Sequence, residues 1–465
     1  MEFQIHISYL DAMPENSISL LPPLVAILIA LWRKNALIAL LSGVILSWVM
    51  VNNWNILHGL GETVTSIVST FQSTSQFYII TFSLLIGALV KLLNTSGSVN
   101  GFIRLLRRAK LVTNKKSAAL LPTLIGTSIF TDTNLSMFTA GMASQQLFDK
   151  YKLSRARLAY LIDSTCAPVS ILFLINGWGA YILGLLEGFN LDNPVKVLIG
   201  TLAFNFYPII ALFLAYYTAI SGKVYGPMKQ SNTKAISTTQ TDEQKIAPAS
   251  VMWLPLLALL LITLLLLWHT GNGDLRQGAG AFSVFWAIIM SLFISISLIL
   301  FKRLLTIRQV FKISLLGLKD MLPAVSILVL SFTFGDAIKA LGTGIFVSEL
   351  MSMQVSTILI TPVIFIIAAV MAFATGSSWG TYAILIPIAL PVAFSSGLPI
   401  PFVLAAVLGG GIFGDHASPI SDTTVVASIA SGCKHYEHVK TQLPYALIGA
   451  GISLLLYIAL GFFFR

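Results

Sequence analysis

The sequence predicts an all-α polytopic membrane protein, built as two inverted-topology repeats with about ten transmembrane helices, two re-entrant hairpins and two broken helices. Three observations lead to this fold class. The chain is 56% hydrophobic and only 10% charged, against about 25% charged residues in an ordinary soluble domain. Its charge-free windows reach the ~20 apolar residues that cross a bilayer. Finally, similar segments recur in the same order in the two halves of the chain.

Ten apolar segments are predicted to cross the membrane. If the N-terminus is outside, most of the 28 Lys and Arg residues fall in cytoplasmic stretches, which is the positive-inside bias. This bias explains the net charge of +10 without a nucleic-acid partner. We therefore expect a multi-pass protein of the inner (plasma) membrane with both termini outside. The predicted spans are 17–32, 36–51, 76–95, 158–175, 195–220, 251–269, 279–301, 321–341, 401–431 and 443–463.

The polar segments of the chain indicate its domain organisation. The first 17 residues are acidic and polar, so they predict no cleavable signal peptide. Residues 223–250 are polar, rich in Ser and Thr, and without apolar periodicity, which predicts a cytoplasmic linker. This linker separates an N-terminal repeat (1–222) from a C-terminal repeat (251–465). The two cysteines, Cys166 and Cys433, predict no disulfide framework.

The two halves share short similar segments. SLLIGALVKLLNT (83–95) aligns with SFTFGDAIKALGT (331–343), and DSTCAPVS (163–170) aligns with GDHASPIS (414–421). The first half has five predicted spans, so the second half should enter the membrane inverted. Inverted repeats with broken helices near the midplane are typical of secondary transporters.

Each half also predicts one hairpin and one broken helix. The small polar segments GTSIFTDTN (126–134) and ATGSSWGTY (374–382) interrupt apolar stretches too short for two full spans. They predict re-entrant hairpins at 117–148 and 355–394. The spans 158–175 and 401–431 are predicted to break at residues 163–168 and within GIFGDHASPISDTTVVAS (411–428). The non-helical backbone of a hairpin tip or a helix break is tolerated at membrane depth only where it lines a polar cavity.

The polar residues at these interruptions are the candidate site. Asp415 and Asp422 flank Pro419, which should break the helix and free carbonyl oxygens as further ligands. Carboxylate, hydroxyl and carbonyl oxygens suit a hard cation such as Na⁺, and charged groups at membrane depth usually mark ion or proton paths. A carboxyl that holds either a proton or Na⁺ predicts antiport. The candidate ion- or substrate-binding residues are Asp132, Thr133, Asp163, Ser164, Thr165, Thr375, Ser377, Ser378, Thr381, Asp415, His416, Ser418, Asp422 and Thr423, with Asp163 and Asp415 as the Na⁺ ligands and Asp336 as a candidate for the proton route.

Several of these residues have a second, structural interpretation. Asp132 and Asp422 either bind cargo or cap a helix N-terminus. Asp336 either belongs to the proton route or pairs with a lysine one turn on. Trp178 and Trp379 are either gates or interfacial anchors.

The motif GDHASPISDTT (414–424), with KLSRARLAYLIDSTCAPVS (152–170) and TGSSWGT (375–381), resembles the NhaC-type Na⁺/H⁺ antiporter family. The resemblance runs from about 76 to 460 and implies a scaffold and a transport domain, a homodimer, and no cofactor besides transported Na⁺ and H⁺. One departure lies at the first hairpin tip, where many relatives have paired acidic residues and this chain has only Asp132. Related members exchange malate and lactate, so the cargo stays open. The implied ion-binding residues are Asp163, Ser164, Thr165, Asp415, His416, Ser418 and Asp422.

Two transport functions follow from these features. The first is a Na⁺/H⁺ antiporter that exports cytoplasmic Na⁺ against external protons. The alternative is a Na⁺- or H⁺-coupled transporter or exchanger of a small organic solute, either a carboxylate or an amino acid. An intramembrane hydrolase is disfavoured because the FGD segments at 334–336 and 413–415 lack the G-x-G-D spacing of an aspartyl pair and HYEH (435–438) is not HExxH. The expected partners are therefore the lipid bilayer, a small cation and a small organic solute.

Overall fold

A computed structural model describes residues 17–108, 112–173, 175–189, 191–231, 246–343, 346 and 356–464. Over these ranges the chain is helical and contains no strand. The acidic N-terminal segment up to residue 16 and residues 232–245 of the predicted linker lie outside the described residues. The α-helices are α1 (Leu21–Arg33), α2 (Ala36–Val51), α3 (Ile56–Gln72), α4 (Thr74–Thr95), α5 (Ser98–Arg108), α6 (Lys115–Ser128), α7 (Thr133–Lys150), α8 (Arg155–Leu172), α9 (Gly177–Glu187), α10 (Pro194–Gly200), α11 (Phe206–Ser221), α12 (Pro227–Gln230), α13 (Ser250–Thr270), α14 (Gly280–Phe301), α15 (Ile307–Ala340), α16 (Thr357–Thr375), α17 (Ser378–Ser396), α18 (Ile400–Ala417), α19 (Asp422–Ser431) and α20 (His435–Gly461).

The length and composition of the helices confirm an all-α polytopic membrane protein. Among the described residues, eight helices are long and apolar enough to cross a bilayer. The count rises to ten if the bent pairs α8–α9 and α10–α11 each form one span. The second pair bends by 45°, at a point where the sequence predicted one continuous span from 195 to 220.

Helix α15 is much longer than its predicted span of 321–341. Its 34 residues correspond to about 50 Å at 1.5 Å per residue, against about 30 Å of hydrocarbon. The helix begins at Ile307 because Thr306 and Gln309 form a capping box there. The charged first turns therefore extend the helix beyond the hydrocarbon core, where the sequence predicted a cytoplasmic loop.

Helix α3 was not predicted from the sequence. Its small residues Gly59, Thr63, Ser66 and Thr70 are buried, while its large apolar residues, such as Leu57, are exposed. This arrangement reverses that of a helix in a soluble protein and suits a helix packed on its neighbours through small residues. Its many small polar residues lower its hydropathy, so the apolar pattern of the sequence did not predict a span there.

Glycines bring α18 against α16. A Cβ added at Gly410 would lie 2.4 Å from the carbonyl oxygen of Phe365, and one added at Gly414 would lie 2.3 Å from that of Ala369. Only glycine permits such an approach between two helix backbones in a membrane. This packing fixes the end of α18 beside the turn that joins α16 to α17.

The Gly414→Ala variant should therefore lose stability. A new methyl group would meet two backbone atoms of α16 and the Cβ of Ala372, none of which can turn away. The helices must therefore separate, at a cost of about 1–3 kcal/mol. Gly451→Ala in α20 is the matched control, because a Cβ there meets no atom of the described part of the chain within 4 Å. Thermal unfolding of the two purified variants in detergent measures the difference. Equal melting temperatures would contradict the close packing of α16 and α18.

Candidate functional site

The span from 400 to 431 is broken in the middle of its polar motif. Helix α18 ends at Ala417 and α19 begins at Asp422, with Pro419 between them. The Ser418 hydroxyl donates to the carbonyl of Phe373 on α16 (2.7 Å). The Nε2 atom of His435 lies 2.6 Å from the Pro419 carbonyl oxygen. The imidazole of His435 thus holds the Pro419 carbonyl.

Asp415 lies in the last turn of α18 and joins the break to the α16–α17 turn. Its side chain accepts a hydrogen bond from the backbone N–H of Ser378 (3.2 Å) and from the hydroxyls of Ser378 and Ser421. The Ser421 hydroxyl also lies 2.9 Å from that of Thr423. Asp415 is only 3% exposed. The carboxylate is therefore surrounded by hydroxyl oxygens from two interrupted segments of the second half.

Asp163 has a different environment. It is fully buried in α8, and its Oδ2 atom accepts from Gln442 Nε2 (2.7 Å) and contacts His438 Nε2 (3.1 Å). Among the residues that the structure describes, its Oδ1 atom has no hydrogen-bond partner. His438 and Gln442 are four residues apart, so they lie on one face of α20. The neighbours of this carboxylate are nitrogen atoms that can donate protons.

His416 connects the surroundings of the two carboxylates. It follows Asp415 directly in α18, and its Nε2 atom lies 3.0 Å from the hydroxyl of Ser164, the residue after Asp163. Its Nδ1 atom lies 2.6 Å from the Tyr207 hydroxyl on α11. Its backbone carbonyl accepts from Gln442 Nε2 at 2.6 Å. A continuous set of buried polar contacts therefore runs from α8 through α18 to α11 and α20.

Four carboxyl groups gather around this cluster. Asp422, which is exposed at the start of α19, lies close enough to Asp132, Asp163 and Asp415 for their charges to interact. The side chain that caps α19 is that of Ser421 and not that of Asp422. Asp422 thus adds charge at the exposed side of the site.

The first hairpin contributes mainly structural contacts. Asp132 caps α7 by accepting from the backbone N–H of Leu135 at 2.6 Å, which is its structural interpretation. The Thr133 hydroxyl lies 3.1 Å from that of Ser170 on α8. The Thr165 hydroxyl donates to a carbonyl one turn earlier in its own helix. These residues position the hairpin tip against α8.

The remaining candidates separate into two groups. At the second hairpin tip, Ser377 caps α17, and the hydroxyls of Thr375 and Thr381 donate to nearby backbone carbonyls. Asp336 lies elsewhere, in a small cavity lined by α9, α15 and α17 that includes Phe189 and Pro387. The structure therefore does not place Asp336 in the cluster around Asp163 and Asp415.

The break predicted at residues 163–168 lies further along the chain. Helix α8 continues through Pro168 to Leu172, and α9 begins at Gly177. Asn176 explains this position, because its side-chain oxygen caps α9 and its Nδ2 atom donates to the carbonyl of Ser170 at 2.7 Å. The amide group of one residue thus satisfies the backbone of both helix ends.

Several residues of the cluster were not among the predicted site residues. They are Tyr207, Ser421, His438 and Gln442. The last span was predicted to begin at 443, whereas α20 begins at His435. The polar side chains in its first turns lower the hydropathy of this segment. In the structure, His438 and Gln442 of these turns contact Asp163 inside the protein. The spacing of four between His438 and Gln442 was the available signal.

The donor set favours a hard cation over a transition metal. Within the described ranges, no group of three His, Cys, Asp or Glu side chains is placed to hold a metal ion. The oxygen atoms around Asp415 instead come from one carboxylate and several hydroxyls. Such oxygens can turn their lone pairs toward a small hard ion.

The chain resembles known membrane transporters in sequence. A model of the family described as "Na+/H+ antiporter family" matches residues 169–462. An uncharacterized protein of Haemophilus influenzae is 30% identical over 96% of this chain and 91% of its own length. The malate-2H(+)/Na(+)-lactate antiporter of Bacillus subtilis is 36% identical over 21% of each chain. The arginine/ornithine antiporter ArcD of Halobacterium salinarum is 38% identical over 22% of each.

Two solved transporter structures share the fold. MtrF of Neisseria gonorrhoeae, described in a study of antimetabolite efflux pumps, superposes with a TM-score of 0.57 at 15% identity, over 87% of this chain and 84% of its own. The YdaH transporter of Alcanivorax borkumensis gives a TM-score of 0.58 at 13% identity, over 87% and 89%. At these sequence identities, the similarity shows a shared fold.

Proposed function

Because the chain belongs to the Na⁺/H⁺ antiporter family, we propose that it exchanges cytoplasmic Na⁺ for external protons. Family membership confirms the resemblance seen in the sequence motifs. The observation that carries the proposal is a pair of buried carboxylates, Asp163 and Asp415, joined through His416 and Ser164 in one polar cluster. Buried carboxylates of this kind are the usual means of ion and proton transfer in membrane proteins.

Asp415 is the proposed cation ligand. The hydroxyls of Ser378 and Ser421 already point at its carboxylate, and Thr423 lies beside Ser421. When a cation enters, the same hydroxyls can present oxygen lone pairs to it while the carboxylate supplies the negative charge. A proton on Asp415 removes that charge, so proton and cation compete for one group.

Asp163 is the proposed proton carrier, which delivers the competing proton to Asp415 and removes it. Its partners His438 and Gln442 present nitrogen atoms, and a cation would be repelled by donor N–H groups. The contacts from Ser164 through His416 to Tyr207 give a proton a hydrogen-bonded route away from this region. The sequence predicted that both Asp163 and Asp415 bind Na⁺, and the proposal keeps this role for Asp415 alone.

Alternating access between two inverted repeats is the proposed transport mechanism. A helix–turn–helix pair followed by an interrupted span occurs in each half, as α6–α7 with α8–α9 and as α16–α17 with α18–α19. This repetition supports inverted repeats, in which one half moves relative to the other around a central site. We further propose that the protein lies in the inner (plasma) membrane with both termini outside, and that it forms a homodimer.

An organic solute is the second candidate cargo. Two relatives that match about a fifth of this chain are named for exchange of malate and lactate and of arginine and ornithine. A solute carrier would use the cation or proton only as a coupling ion. The site would then hold the solute together with the cation.

Reconstitution into proteoliposomes tests the function. A preset pH gradient should collapse when Na⁺ is added alone, and Li⁺ and K⁺ then give the cation selectivity. In parallel, vesicles receive malate, lactate, arginine or ornithine with and without Na⁺. Collapse of the gradient only when one of these solutes is present would establish the second candidate and overturn the first.

A further inference from the structure

Two helices of the protein begin with the same short motif. Helix α9 starts in NGWGAY (176–181) and helix α17 in SSWGTY (377–382), so both read W-G-x-Y directly after the helix start. Each motif is preceded by a capping side chain. Asn176 accepts from the N–H of Gly179 at 3.0 Å, and Ser377 accepts from that of Gly380 at 3.4 Å. The two helix starts are therefore alike in sequence and in local geometry.

The two motifs pack against each other reciprocally. The rings of Trp178 and Trp379 lie 4.3 Å apart, centroid to centroid. Trp379 also contacts Tyr181 (4.6 Å), and Trp178 contacts Tyr382 (5.8 Å). The Tyr181 hydroxyl donates to the backbone carbonyl of Trp379 at 2.9 Å. Each tryptophan thus contacts the tryptophan and the tyrosine of the other motif, as in a local two-fold arrangement.

One side of this aromatic pair is anchored. Asn176, two residues before Trp178, donates through Nδ2 to the carbonyls of Ser170 on α8 and Phe130 at the first hairpin tip (2.7 and 2.8 Å). These bonds tie Trp178 to the first half of the chain. Trp178 is 9% exposed, so its ring is also held by packing.

The other side of the pair covers the proposed cation ligand. Trp379 follows Ser378, whose N–H and hydroxyl bind Asp415. Ser378 and Asp415 are both buried, so cargo reaches this carboxylate only after the polar shell around it opens, and the start of α17 forms part of that shell. A movement of the start of α17 would separate Trp379 from Trp178 and break the bond to Tyr181.

We propose that Trp178 and Trp379 form a latch between the two halves, which closes α17 over Asp415 and opens once in each transport cycle. The inference rests on the proposed function, since it concerns access to the same site. It assigns the two tryptophans as positioning residues: they act on cargo through Ser378 and Asp415. Of the two interpretations left by the sequence, it favours gates over interfacial anchors.

A reversible cross-link tests the latch. Trp178→Cys and Trp379→Cys are combined in a background with Cys166→Ala and Cys433→Ala, and are bridged with a short bifunctional thiosulfonate reagent. The cross-link should stop exchange in proteoliposomes, and reduction should restore it. Each single-cysteine variant treated with the same reagent should keep its rate. A cross-linked protein that exchanges as fast as the reduced one would overturn the latch.

A second stacked pair provides a matched control. Tyr78 on α4 and Phe285 on α14 lie 4.5 Å apart, and the hydrogen bonds that the structure describes for Asp415 involve neither residue. The corresponding double-cysteine variant, cross-linked in the same way, should retain exchange. This control separates the effect of a latch from that of any covalent bridge between helices.

The rate of cross-linking in detergent provides a second test that does not depend on transport. In detergent, Na⁺ should raise the rate of cross-linking between the two cysteines at least about threefold over an equal concentration of K⁺, because cargo stabilises the closed state. An unchanged rate, in a protein whose wild type exchanges Na⁺, overturns the latch and leaves the proposed function intact. Absence of exchange in the wild type with every cation and solute would instead overturn the proposed function.

Discussion

Replacing Asp415 with Asn should reduce Na⁺-driven proton exchange to the level of protein-free vesicles. The amide keeps the shape of the side chain and can still bond Ser378 and Ser421, but it cannot carry the negative charge that binds a cation. The loss should include binding itself, so calorimetry with Na⁺ should show no saturable signal. Dissipation of a pH gradient in proteoliposomes measures the transport defect.

Asp320→Asn is the matched control for this substitution. Asp320 lies on α15 and pairs with Lys91 at 2.7 Å, with side chains that are 52% and 40% exposed, respectively. Exposed ion pairs contribute little stability, and this one lies outside the cluster. The control should exchange like the wild type. If Asp415→Asn is inserted, folded and still exchanges Na⁺ at the wild-type rate, Asp415 is not the cation ligand.

Replacing Asp163 with Asn should give a different defect. The proposed proton carrier is lost, whereas the hydroxyl oxygens and the carboxylate around Asp415 remain. We therefore expect exchange to disappear while Na⁺ still binds, within about tenfold of the wild-type affinity, since the described contacts between the two carboxylates run through intervening residues, namely Ser164, His416 and Gln442. Calorimetric titration with Na⁺ and the vesicle assay, run on the same preparation, measure the two properties.

The contrast between the two variants is the informative result. If Asp163→Asn abolishes Na⁺ binding as completely as Asp415→Asn, the carboxylates act as one cation site. If it exchanges normally, the proton is carried elsewhere. A His438→Gln variant serves as a further comparison, because it removes the imidazole beside Asp163 and leaves the carboxylate in place.

The break in the second half was predictable because its causes are local. Pro419 cannot continue a helix hydrogen-bond pattern, and the small polar residues around it supply bonds that a broken backbone needs. The sequence therefore placed the break between Asp415 and Asp422 correctly, and the two helices end and begin there. The same local signals indicated Asp163 and His416, both of which lie in the cluster.

The remaining features depend on contacts between distant segments. Pro168 suggested a break that the structure places after Leu172, because Asn176 satisfies the freed carbonyl of Ser170. Gln442 reaches Asp163 across 279 positions of the chain, and no local pattern reveals such a pairing. Tyr207 stands in an apolar run and is identified only by its contact with His416.

Competition between protons and Na⁺ is tested most directly by measuring both at once. Na⁺ is titrated into weakly buffered, purified protein at a series of pH values, and bound Na⁺ and released protons are recorded together. At low pH the carboxyl group is protonated and neutral, so it binds Na⁺ more weakly. The apparent Na⁺ dissociation constant should therefore rise as the pH falls, by up to about tenfold per pH unit where one proton competes. Each bound Na⁺ should also release a proton. Na⁺ binding with an affinity independent of pH and no proton release would contradict exchange at shared carboxylates.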